Sequence, residues 1–263
     1  MEVDNSILKI YEVFFETVGG YVKAVIDNAF NSEQIKQVIC NAIKTIESIY
    51  PTDEERKGII SNLQKWGDYG WGMIRWAPIK LYSSTPTNTY EADNMVMQYC
   101  TDEKIDELLI SILKKTDRIS EFQEADWCYK NEKYTASALI LFSIIDSMMI
   151  RLQQKGSNTK RKLAKQYANE LLTNQVNCNN FLAVASFLAL MNAIKNIFEN
   201  ANDFSSEDSE LINRNFVSHG MNARKVNKTD CIKLFVIIED LFQIMEEFNL
   251  NFESDIETLE VQA

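Results

Sequence analysis

The chain carries one histidine, His219, within the string Asn213-Arg214-Asn215-Phe216-Val217-Ser218-His219-Gly220. A lone imidazole excludes every two-histidine metal site and any His-Glu-x-x-His protease. Gly67, Gly70 and Gly72 lack both the spacing and the following Lys-Ser/Thr of a phosphate loop, and no Gly-x-Ser-x-Gly nucleophile elbow occurs. Neither a metal nor a cofactor is expected. What remains is a guanidinium and an imidazole in one short stretch. The first is a permanent cation for the charge of a pentavalent phosphorane; the second exchanges protons near neutral pH. Together they are the minimum kit for cutting RNA with its own 2′-hydroxyl, a reaction that needs no metal. On an unbroken helix Arg214 and His219 would diverge by roughly 140°. Gly220 is a candidate terminator, so the helix is expected to fray at His219 and let the ring turn toward Arg214. Asn215, four positions before His219, shares its face and is placed to orient the ring or a phosphate.

The elements that must hold these residues are helices. Only 8 Gly and 3 Pro occur in 263 residues, and apolar residues recur at helical spacing along most of the chain, so the expected fold is all-α. Helices are expected from Ile7 to Phe30 with a kink at Gly19-Gly20, from Ser32 to Tyr50, and from Thr52 or Asp53 to about Trp66. Residues 66–90 are aromatic and Gly-punctuated, with Trp66, Trp71 and Trp76 among the four tryptophans. They read as a long loop or small hairpin, packed on its own rings or serving as a lid, and a short helix follows from about Tyr90. Ile105, Leu108, Leu109, Ile112 and Leu113 make a helical stripe that breaks near Asp117. A short helix from Phe122 to Tyr129 then precedes a strongly apolar one from Tyr134 to Gln154, expected to be buried nearly all round. Further helices are expected over residues 160–172 and 180–200, from a cap in Ser205–Glu210 through Ser218, and from a Thr229 or Asp230 cap to Leu250. The organisation expected is an N-terminal helical region (1–117), a helical bundle (118–251) and a disordered acidic tail (252–263).

The net charge is −11, yet two segments run against it. Residues 151–165 hold six basic side chains and no acid, and residues 214–228 hold Arg214, Arg224, Lys225 and Lys228 without an acid. Such runs are either solvated faces or a track for phosphates. Five widely separated cysteines without a C-x-x-C pair argue against a disulfide framework or a zinc knuckle, so Cys128 and Cys231 are expected as core residues in a reducing compartment. The acidic N-terminus and the lack of an eighteen-residue apolar run lead to the expectation of a soluble, cytoplasmic protein without a membrane span.

Arg followed directly by Asn, with His five positions after the Arg, resembles the motif of the HEPN superfamily (higher eukaryotes and prokaryotes nucleotide-binding), and the resemblance covers roughly residues 119–250. Its members share an all-helical bundle in which a short helix precedes a long apolar one carrying an acid, here Asp146, and the motif precedes a final amphipathic helix. Many are ribonucleases, among them toxins of toxin–antitoxin pairs and abortive-infection proteins of phage defence. The resemblance implies that Arg214 contacts the scissile phosphate, His219 is the general acid or base, and Asn215 holds substrate or ring. It also implies a homodimer with the active site across its interface, RNA such as tRNA as substrate, and an antitoxin or sensor as partner. Arg151, Lys160, Arg161, Lys162, Arg224 and Lys225 would line the RNA path. Asp146 is costly in an apolar helix unless paired, with Arg214 its natural partner. The alternative is a non-catalytic dimerisation, nucleotide-binding or protein-binding module. In it Arg214 and Asp146 are a structural pair and His219 complements a helix dipole.

Overall fold

A computed structural model describes residues 53–152, 164–166, 168, 181–200, 210–221 and 224–247. The described elements are helical, and the protein is all-α. Helices α1 (Asp53–Asp68), α2 (Thr89–Met97), α3 (Asp102–Lys115), α4 (Ile119–Lys130), α5 (Tyr134–Arg151), α6 (Phe181–Ile197), α7 (Arg214–His219) and α8 (Lys228–Glu247) follow in order, with a 3-10 turn at Ile79–Ser83 between α1 and α2. The helices expected before Asp53, most of the one expected over residues 160–172, and the acidic tail lie outside the described residues.

Helix α8 is the axis of the fold. Residues 230–240 are buried without interruption, and α3, α5 and α6 pack around them. Its start is set by a reciprocal pair of bonds: the Asp230 amide donates to Asn227 Oδ1 (3.0 Å) while the Asn227 amide donates to Asp230 Oδ2 (2.9 Å). The cap is therefore Asn227, not Thr229 or Asp230, with Asp230 closing the box from the third helical position. Asn and Asp both accept backbone N–H bonds, so the sequence at 227–230 supports either frame; the reciprocal geometry selects one.

Helix α3 buries Ile105, Leu108, Leu109 and Ile112, the stripe its periodicity predicts. Helices α4 and α5 form an antiparallel hairpin whose aromatic rings meet α8, with Tyr129 edge-on to Phe235 at 5.3 Å. Helix α5 is not buried all round, as its composition suggested. Leu139 is 39 % exposed and Ser143 faces solvent, because this side of α5 is the wall of a cavity. By length and composition α5 is also the one described helix apolar enough to cross a membrane, and Leu141, Ile145 and Met148 bury it in the bundle. The core runs from Leu63 to Met245 and is continuous across residue 117.

The aromatic segment is core rather than lid or hairpin. Trp66, Trp71 and Tyr82 are wholly buried. Each of the three indole N–H groups has a fixed acceptor: Trp66 the Ser84 carbonyl (3.0 Å), Trp71 Asp93 Oδ1 (2.9 Å) and Trp76 the Tyr99 carbonyl (2.9 Å). Helix α1 crosses α6 so closely that a Cβ on Gly67 would sit 2.4 Å from the Ala189 carbonyl oxygen. Beside it the Asn192 amide spans the two helices, donating to the Gln64 carbonyl and Asp68 Oδ1 at 2.8 and 2.7 Å. Gly67→Ala is expected to force the helices apart and cost about 1–3 kcal/mol in urea unfolding. An unchanged midpoint would mean the crossing relaxes freely.

Candidate nucleotide-facing cavity

Helix α7 is six residues long, too short to persist without its anchors. Phe216 and Val217 bury one face. At its start Asn213 Oδ1 accepts from the amides of Asn215 (2.8 Å) and Phe216 (3.3 Å). The side-chain amides of Asn213 and Asn215 then both donate to the Glu199 carbonyl, at 3.0 and 2.9 Å, tying α7 to the end of α6. Glu199 in turn pairs with Lys165. At the other end Gly220 takes φ 66°, where a side chain would be strained, and Met221 N–H reaches back to the Phe216 carbonyl at 2.9 Å. Gly220 thus terminates the helix as its position suggests.

The terminator acts after His219, not between it and Arg214. The helix holds its form through His219, so the two residues leave α7 on faces roughly 140° apart. Arg214 and Ser218, one turn apart, face a cavity of about 480 Å³ together with Arg118, Ser143, Asp146 and Arg151. His219 is exposed beyond this lining. The cavity lies in the size range of small-molecule sites, about 300–1,000 Å³.

Arg214 is half-buried, and its Nη1 donates to Asn215 Oδ1 at 3.2 Å. Asn215 is consequently a positioning residue: one end of its amide holds Arg214 and the other holds Glu199. Asp146 lines the same cavity but does not pair with Arg214; its Oδ1 accepts from the Ala164 amide at 3.3 Å. The half-buried carboxylate thus meets its hydrogen-bonding need with backbone, and no carboxylate among the described residues pairs with Arg214.

Arg151 forms a two-pronged pair with Asp117, Nη2 to Oδ1 being 3.0 Å, and those bonds hold the Asp117 carboxyl below the usual carboxylate range. Arg118 was not legible as a site residue. Its Nε and Nη2 grip Glu121 Oε1 at 3.1 and 2.9 Å, and it shares the cavity lining with Asp146 only because the α4–α5 hairpin packs the two helices together. Arg224, expected along the RNA path, is held by structural contacts. It clamps the buried Asp230 with two bonds of 2.7 and 2.8 Å and reaches the Glu210 carbonyl at 2.7 Å, a structural task that fastens the chain after α7 to the start of α8. Lys225 is exposed next to it. Lys160, Arg161 and Lys162 lie outside the described residues.

Burial pushes the Cys100 thiol up to about 11 and Cys231 up to about 12, so neither is a nucleophile at neutral pH. Cys128 is buried too. Among the described residues no three His, Cys, Asp or Glu side chains gather as a metal site. No protein-family model, curated protein or solved structure matches this chain.

Proposed function

We propose that the chain is a metal-independent endoribonuclease, a cytoplasmic toxin or antiviral-defence effector held in check by an antitoxin or sensor partner. It acts on RNA, tRNA among the candidates. The observation that carries this reading is Arg214: a guanidinium with no carboxylate partner among the described residues, fixed by Asn215 on the wall of a ligand-sized cavity, with exposed His219 on the same capped helix. A guanidinium there offers two N–H bonds to the non-bridging oxygens of a phosphodiester and strengthens its hold as charge builds in the phosphorane. The 2′-hydroxyl loses its proton to a base and attacks phosphorus; the 5′-oxygen leaves with a proton, and a 2′,3′-cyclic phosphate remains. Since Arg214 and His219 leave α7 on different faces, a complete site takes its imidazole from a second copy, consistent with a homodimer.

One observation favours a non-catalytic binding module instead: His219 does not line the cavity of its own chain. The two readings separate on incubation of end-labelled tRNA and total RNA with the protein in EDTA. Fragments ending in 2′,3′-cyclic phosphate, made by a species that light scattering identifies as a dimer, are the expected result. Intact RNA at every protein concentration would overturn the ribonuclease.

A further inference from the structure

Two arginines outside the Arg-Asn-x-x-x-His string enter the same cavity as Arg214. Arg118 comes from the turn before α4 and Arg151 from the last turn of α5, and their side chains are only 26 % and 18 % exposed. Both are engaged by acids from one short stretch: Asp117 takes both prongs of Arg151, and one Glu121 oxygen takes two donors of Arg118. With Asp146, these acids match the three guanidinium charges in number among the described residues. The two clamping carboxylates are the most exposed members of the arrangement, at 57 % and 44 %. A carboxylate and a phosphate both offer anionic acceptor oxygens to a guanidinium fork, by two oxygens as at Asp117 or by one as at Glu121, so a phosphate can take the place of either.

We propose that Arg118 and Arg151 form a second phosphate subsite for the RNA backbone beside Arg214, and that Asp117 and Glu121 occupy it in the free protein as stand-ins for phosphate. The identity of the ligand as RNA rests on the ribonuclease reading above. RNA enters by exchange: its phosphates take the two arginines as Asp117 and Glu121 swing into water. The acids act as a brake on binding, confining it to chains that place a phosphate at Arg214 and another at the guarded pair together.

The test uses a fully 2′-O-methylated oligoribonucleotide, which lacks the attacking hydroxyl, with binding read by fluorescence anisotropy across a salt series. Asp117→Asn with Glu121→Gln is expected to tighten binding roughly tenfold, because two repelling charges leave while the arginines stay. Adding Arg118→Ala and Arg151→Ala to that background should abolish the gain and flatten the logarithmic salt slope by about 0.7 for each phosphate no longer neutralised. Unchanged or weaker binding by the acid-neutralised variant, with an unaltered thermal melt, overturns the proposal. So does a gain that survives removal of both arginines. If the double variant melts early, Glu121→Gln alone, which leaves the Arg151–Asp117 pair intact, is expected to give roughly a threefold gain, and no gain there counts against the subsite. RNA cleavage without the gain sinks the subsite alone, whereas the gain without cleavage sinks the ribonuclease and leaves a nucleic-acid-binding site.

Discussion

His219→Ala is expected to slow RNA cleavage by about 10²–10⁴-fold, the usual contribution of a positioned general acid or base. His219 is exposed in the last turn of α7, so truncating its ring opens no core cavity. Its favourable contribution at a helix C-terminus is about 0.3–1 kcal/mol, and the variant should unfold within that margin of wild type. Loss of rate without loss of structure is the signature that separates proton transfer from a scaffold role. Arg214→Lys supplies the matching control. A lysine keeps the charge but not the two-donor fork, nor the bond to Asn215 Oδ1, so most of the activity should be lost there too. Gel quantitation of cleavage rates in EDTA, alongside urea melts, decides the matter: undiminished cleavage by the His219 variant would move the chemistry elsewhere.

Asp93→Ala is expected to cost about 3–5 kcal/mol of unfolding free energy, the range for stripping one partner from a buried ion pair. Lys233 is 0 % exposed in the middle of α8, its Nζ 2.7 Å from Asp93 Oδ1 and 5.2 Å over the Trp71 ring. The contact is an ion pair bent out of hydrogen-bonding geometry, so the ammonium leans on proximity and on the ring face. Trp71 also donates its indole N–H to that same carboxylate oxygen at 2.9 Å. One substitution therefore strands a buried cation and an indole donor together. Burial holds the Lys233 ammonium below its ordinary range, so between its folded pKa and the lysine value of about 10.4 the unfolded chain binds the extra proton. Stability of the variant should accordingly rise with pH across that window. Lys233→Met should be far milder, because the orphaned Asp93 is 25 % exposed and can hydrate. Urea titrations of both single variants and the double variant, at neutral and alkaline pH, test the cycle; a small Asp93→Ala effect would show that the core admits water to Lys233.

Much of the local architecture is legible before any coordinates. The 3.6-residue period over Ile105 to Ile112 dictates an amphipathic helix whose one face must be covered, and the observed α3 covers it. Gly220 is legible as a terminator because only a residue without a side chain adopts φ 66° cheaply. These features depend on steric preferences within a turn or two of chain. Conformational reach also explains where the pattern misleads: an apolar α5 announces burial but not that one side borders a cavity. Three tryptophans likewise announce neither core nor ligand surface until their indoles find acceptors 18–23 positions away, at Ser84, Asp93 and Tyr99.

The assignment of charges belongs wholly to the tertiary structure. Arg214, Asp146 and Arg118 share a cavity although nearly a hundred positions separate the outer two, and proximity on that scale follows from how helices stack, not from spacing. The same holds for Arg224, whose partner Asp230 stands six positions on and is fixed by the Asn227 cap of α8. The motif string determines that a guanidinium and an imidazole leave one short helix. Its intact last turn, Asn213 and Asn215 gripping the end of α6, and the hairpin that brings in Arg118 decide which groups they face. Periodicity and capping are encoded by short-range sterics that any window of sequence contains, whereas a charge takes whichever partner the folded chain carries to within a few ångströms of it.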